Sequence, residues 1–143
     1  MARFKLYIGC ALTHAPSEFI DSLEKFKQSL RSEGYQILDF FGVHAAGTPK
    51  DIYRHDILQS ARKCDAFIGI CDYPSTGLGY EFSEAVRLGV PVLALAHTDA
   101  KVTRLIQGAS QVEPNVDFVR YKNLDKNALS IVNAWLKANK LLT

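Results

Sequence analysis

AFIGICDYPSTGLGYEFSEAVRLGVPVLALA, residues 66–96, reads as strand, helix and strand in one pass. AFIGIC (66–71) is almost wholly apolar, as a parallel strand covered on both faces should be. GYEFSEAVRLG (79–89) is a short helix that stops at Gly89, and PVLALA (91–96) is apolar again. Between the first strand and the helix lies a turn with two glycines, and Glu81 follows at the helix start.

Outward from this unit the alternation repeats. FKLYIG (4–9) is a buried strand. Residues 16–34 put Phe19, Leu23, Phe26 and Leu30 at helical spacing, with Gly34 as the stop. YQILDF (35–40) is a second strand. Residues 48–65 form a helix with Thr48 as N-cap and Pro49 at the first helical position. KVTRLIQGA (101–109) is a short helix, VDFVRY (116–121) a fifth strand. Residues 124–140 close the chain with Leu129, Val132, Trp135 and Leu136 on one face. Five βα units without a repeat or linker predict an α/β fold: a single three-layer domain over residues 1–143, with a five-stranded parallel sheet in the flavodoxin/Rossmann-like order 2-1-3-4-5.

Composition narrows the function. The chain has 143 residues, 48% hydrophobic and 22% charged, with net charge +2 and no basic block, so nucleic acid is not an expected partner. Cys10, Cys64 and Cys71 fit no zinc or redox spacing, and Cys64 and Cys71 read as core thiols. His44, His55 and His97 have no ligand spacing, so no metal is expected. No targeting peptide or membrane span is evident, which makes the cytoplasm the expected location.

The order 2-1-3-4-5 reverses between strands 1 and 3, and ligands of such sheets bind there, beyond the carboxyl ends of the strands. The loops leaving those strands are GCALTHAP (9–16) and DYPSTGLG (72–79). A dinucleotide fingerprint would need a third glycine where Phe82 stands, and a P-loop would need Gly-Lys-Ser/Thr. A phosphorylated receiver would need paired acids where Gly9 and Cys10 stand. What survives is a glycine turn feeding a helix N-terminus. Its N–H groups, with Ser75 and Thr76, suit an anionic oxygen, and Gly77 and Gly79 permit close approach or positive φ.

Glu81 is expected in the first helical turn, where it also complements the helix dipole. Asp56 is expected in the second turn of the preceding helix, beside Tyr53, Ile57, Ala61 and Cys64. Asp51 has a capping role in Thr48-x-x-Asp51; Asp56 has none. Two carboxylates facing one crevice can divide into nucleophile and acid at a sugar C1 position.

Residues 56–96, and PSTGLGYE (74–81) above all, resemble the nucleoside 2-deoxyribosyltransferase superfamily, closest to its 2′-deoxynucleoside 5′-phosphate N-hydrolase branch. The resemblance covers roughly residues 6–121 in the same order of elements, with YIGCAL (7–12) in the place of the first nucleotide loop. It implies that Glu81 attacks C1′ and that Asp56 assists departure of the base. It assigns Ser75, Gly77 and Gly79 to the 5′-phosphate, with Gly9 and the backbone of Cys10 as the first-strand loop. It puts Thr103 near the ligand of a neighbouring subunit, and so implies a homodimer with a shared site. Three departures stand out. One more residue separates Asp56 from the third strand than in the hydrolase branch. The first loop lacks that branch's glycines and arginines. NKLLT (139–143) does not resemble the transferase tail.

Of the remaining residues, Tyr53 could stack on a base or pack, and Asp72 could bind sugar hydroxyls or cap the turn. Thr13 and His14 could touch ligand; Tyr7 and Tyr80 read as packing residues. The expected activity is cleavage of the N-glycosidic bond of (2′-deoxy)nucleosides or their 5′-monophosphates through a glycosyl-enzyme, without a cofactor. The alternatives are base exchange by a 2-deoxyribosyltransferase, and a non-catalytic nucleotide-binding module.

Overall fold

The computed structural model of the chain describes residues 3–39 and 47–139. Strands β1 (Lys5–Cys10), β2 (Gln36–Leu38), β3 (Ala66–Ile70), β4 (Val92–His97) and β5 (Val116–Tyr121) form one parallel sheet in the order β2-β1-β3-β4-β5. This is the expected order. The sheet reverses between β1 and β3, where Gly9 pairs with Gly69 and Cys10 with Ile70.

Alternation along the strands builds two apolar layers. Leu6, Ile8, Ile68, Leu93 and Leu95 face α1 (Ser17–Ser32) and α5 (Asn127–Ala138), against Leu23, Phe26, Leu30, Val132 and Leu136. Tyr7, Phe67, Ala94 and Ala96 face the other way, against Ala61, Leu78, Phe82 and Ala85. That second layer is covered by α2 (Pro49–Tyr53) with its continuation, α3 (Thr76–Leu88) and α4 (Arg104–Val112). No helix among the described residues is long and apolar enough to cross a membrane.

The helix after β2 opens as expected. Thr48 Oγ1 accepts from the Asp51 N–H at 3.2 Å, and Asp51 Oδ2 accepts from the Thr48 N–H at 3.0 Å. It does not stay regular. After Tyr53 it widens into a π-helix, Arg54–Ser60, and tightens into a 3₁₀ turn, Ala61–Lys63. A π turn holds more residues than an α turn of the same sense. Within that wide turn Asp56, Ile57 and Ser60 are buried.

The helix expected from residue 79 begins earlier. Ser75 is its N-cap, accepting from the Leu78 N–H at 3.1 Å, so Thr76 is the first helical residue. Gly77 and Gly79 therefore lie within the first turn. They do not carry positive φ; among the described glycines only Gly34 (φ 100°) and Gly89 (φ 77°) do, each following a helix. Glu81 sits in the second turn of α3 rather than the first.

Candidate active site

The crevice is assembled by a close approach of α3 to the sheet. Gly9 and Gly69 are side by side on β1 and β3 and face α3. A Cβ at residue 9 would stand 2.9 Å from Leu78 Cδ1 and 3.2 Å from Glu81 Oε2; one at residue 69 would stand 3.6 Å from the same Leu78 carbon. The missing side chain at Gly9 is thus what lets the Glu81 carboxylate lie against the strand.

Tyr7, two residues before Gly9 on the same strand face, fixes that carboxylate. Its ring stacks on Phe67 at 5.1 Å between centroids, and its hydroxyl donates to Glu81 Oε2 at 2.6 Å. Both groups are buried. Burial pushes the Glu81 carboxyl up to about 7, the Asp56 charge adds to the rise, and the Tyr7 hydrogen bond opposes it. The Tyr7 hydroxyl is itself pushed far up by burial and by Glu81. Asp56 is 8% exposed, with His55 Nδ1 2.8 Å from its Oδ1. The two expected carboxylates therefore come together electrostatically, from π-helix and α3, on the Tyr7 side of the sheet.

Residues 11–14 and 74–77, in the loops that leave β1 and β3, line a cavity of about 410 Å³ where the strand order reverses. Thr13, His14, Ser75 and Gly77 belong to its wall. The Ser75 oxygen is engaged by the Leu78 N–H, but its hydroxyl proton remains available for an acceptor. A Cβ at Gly77 would meet only Ser75 Oγ at 3.8 Å, and one at Gly79 nothing described within 4 Å. Two glycines in a first helical turn weaken the helix, and no described protein atom requires either.

No family model matches the chain. A protein of Thermofilum pendens, provisionally named 2′-deoxynucleoside 5′-phosphate N-hydrolase 1, is 28% identical over 130 residues, 85% of this chain and 88% of the relative. The CMP N-glycosidase of Clostridium botulinum is similar in structure, with a TM-score of 0.70 at 20% identity over 91% of this chain and 98% of that one. The 2-deoxyribosyltransferase of Bacillus psychrosaccharolyticus has a TM-score of 0.62 at 18% identity, over 85% of this chain and 88% of that one. The fold is that of the nucleoside 2-deoxyribosyltransferase superfamily.

Other residues singled out in the sequence lie around this crevice or away from it. The Cys10 side chain turns into the α1 layer, and burial pushes its thiol up to about 12. Cys64 and Cys71 are buried free thiols too, pushed up to about 12 by burial. Asp72 is a tie between strand ends: Oδ2 accepts from the Tyr121 hydroxyl at 2.5 Å and Oδ1 from the His97 N–H at 3.1 Å. Thr103 caps α4, accepting from the Leu105 N–H at 3.3 Å, and is exposed. It lines a second, larger cavity of about 660 Å³ between α3 and α4, with Leu78, Phe82, Val86 and Ile106. Tyr80 is 51% exposed and meets Tyr53 across the gap between helices, so it is not a core packing residue. Among the described residues no cluster of His, Cys, Asp and Glu could hold a metal ion; His44 lies outside them.

Tyr7 is the site residue that reads in the sequence as core alone. Its signal was the period of two: Tyr7 and Gly9 share a face, and that face looks toward the helix bearing Glu81.

The raised Glu81 pKa has a measurable cost. The native state holds the Glu81 proton more tightly than the unfolded chain, whose ordinary value is 4.5. Below about pH 4.5 there is no penalty; it grows as pH rises toward 7 and is complete above that. Glu81→Gln removes this titration while keeping an acceptor for Tyr7. The variant is expected to gain stability over the parent as pH rises from 4.5 to 8, by on the order of 3 kcal/mol. Denaturant unfolding at several pH values checks this, and a parent–variant difference that is flat with pH contradicts it.

Proposed function

We propose that the chain cleaves the N-glycosidic bond of a nucleoside or, by preference, its 5′-monophosphate. The observation that carries this is the buried Glu81 carboxylate, held by the Tyr7 hydroxyl within electrostatic reach of Asp56. A helix-dipole role would leave a glutamate exposed in the first turn. Burial against a tyrosine in the second turn serves a reacting group better than it serves stability. The relatives named as N-hydrolases and the glycosidase and transferase folds described above support the same chemistry.

In this reading ionised Glu81 forms a bond to C1′ as the bond from C1′ to the base nitrogen breaks. Asp56 delivers its proton to the departing base. Water then attacks C1′, giving its proton to Asp56, and the Glu81 ester bond breaks to free the sugar. The pair needs one proton in all. Tyr7 favours the reactive arrangement because its hydrogen bond stabilises the ionised form of Glu81. The 5′-phosphate would lie in the cavity of residues 11–14 and 74–77, on the free N–H groups of α3 and the Ser75 hydroxyl. Base exchange is the second reading, supported by the likeness to a 2-deoxyribosyltransferase. It differs only in what resolves the glycosyl-enzyme. Three buried free thiols are in keeping with a cytoplasmic enzyme.

The same reading makes the enzyme a homodimer. Leu105 and Val112 on α4 are 82% and 81% exposed, beside the apolar cavity between α3 and α4. Exposed apolar residues around a groove of that size suit a two-fold contact, which would also bring Thr103 near a neighbour's ligand.

Incubation with nucleosides and their monophosphates, following free base, tests the activity; base release only on adding an acceptor base identifies a transferase. Glu81→Gln is expected to lower the rate by several orders of magnitude in a folded protein. Activity within about tenfold of the parent would remove Glu81 as nucleophile. Asp56→Asn is expected to cost about 10²–10⁴-fold with poor leaving bases and far less with a base that leaves as a stable anion. Equal losses for both kinds of substrate would take Asp56 out of the acid role. Light scattering at micromolar concentration is expected to return a dimer that Leu105→Glu converts to monomer; a fully active monomer of the parent rules out the shared site.

A further inference from the structure

We propose that Tyr53 and Tyr80 together form the wall against which the leaving base rests, and so decide which bases are accepted. The inference rests on the glycosidase reading and extends it to residues outside the carboxylate pair.

Tyr53 is the last residue of α2, and Asp56 lies three positions on, inside the π-helical run that continues it. Tyr80 immediately precedes Glu81 in α3. Their hydroxyls are 3.5 Å apart, and their rings meet edge to face at 6.1 Å and 73°. The rings thus span the gap between the two helices that carry the carboxylates. One turn further along α3, Arg62 Nε donates to Glu84 Oε2 at 3.0 Å and ties the same two helices together. The ion pair holds the helices at one level, and the tyrosines stand between them at the next.

Neither ring fills the core: Tyr53 is 40% exposed and Tyr80 51%. Packing therefore does not explain two aromatic rings here. The chemistry does. Glu81 reaches C1′, and the base must lie on the Asp56 side, because its proton comes from there. Asp56 and Tyr53 are less than one π-helical turn apart. A flat ring at that distance can lie along a flat base, and the Tyr80 hydroxyl steadies it from the opposite helix. Stacking between an aromatic side chain and a base grows with ring area, so purines gain more than pyrimidines. Truncation of such a ring usually costs about 1–3 kcal/mol, or roughly fivefold to 150-fold in affinity.

The test is calorimetric binding of purine and pyrimidine 2′-deoxynucleoside 5′-monophosphates to Glu81→Gln, which does not turn them over, alone and combined with Tyr53→Ala, Tyr53→Phe or Tyr80→Ala. Tyr53→Ala is expected to weaken purine binding at least tenfold and pyrimidine binding by a smaller factor. Tyr53→Phe should keep the purine preference, since it keeps the ring, and Tyr80→Ala should fall between. Equal loss for both base classes, no loss, or a Phe variant as damaged as the Ala variant overturns the proposal. So does failure of every monophosphate to bind. Base release by the unmodified protein is followed separately. Release with unchanged Tyr53→Ala binding leaves the glycosidase standing and removes the wall. Purine-selective loss of binding without release by the parent does the reverse.

Discussion

Everything at this site depends on how near α3 comes to β1. The distance is set above all by one hydrogen atom, the one that stands for a side chain at Gly9. Leu78 would touch a methyl group at Gly9 or at Gly69, and the Glu81 carboxylate would be crowded by one at Gly9. Small residues continue on the same face of β4 as Ala94 and Ala96. The opposite face carries Leu6, Ile8, Ile68, Leu93 and Leu95. The sheet is therefore lopsided: thick with branched side chains under α1 and α5, thin under α3. That thinness brings a helix carboxylate to the backbone of the strand.

Closeness has an electrostatic price. A carboxylate taken out of water beside another carboxylate resists ionisation, and Glu81 does. One neutral donor, the Tyr7 hydroxyl, works against that resistance without bringing a charge of its own. A lysine or arginine there would add a charge and neutralise Glu81 more completely. Tyr7 is held for the task by stacking on Phe67, a residue of the neighbouring strand, so the orientation of the hydroxyl is inherited from the core.

The sheet order was legible because each strand is a short apolar run and each helix has an apolar stripe. The place of the crevice followed from that order. Glu81 and the capping roles of Thr48 and Asp51 were legible from local chemistry. The start of α3 was not: Ser75 and Thr76 look like loop residues beside two glycines, and only the Ser75–Leu78 hydrogen bond shows that the helix has begun. Asp72 looked free for a ligand because its partners, Tyr121 and the His97 N–H, arrive from strands far along the chain. Tyr7 was hidden by its own apolarity, since a buried tyrosine in a strand needs no partner to be plausible. Long-range pairing of this kind leaves no periodic mark.

The π-helical run Arg54–Ser60 bears on what a change of length would do to this helix. A helix that gains one residue has two choices. It can rotate everything beyond the insertion by about 100°, or it can widen one turn and leave both flanks where they were. The second course is the one a π-helical turn offers, with Tyr53 before it and Ala61 and Cys64 after it. Such a segment can absorb a change of length that a regular α-helix would turn into a rotation. A graft of this element is therefore expected to succeed as a whole turn and to fail position by position, because equal spacing on the two sides of a wide turn does not mean equal direction in space.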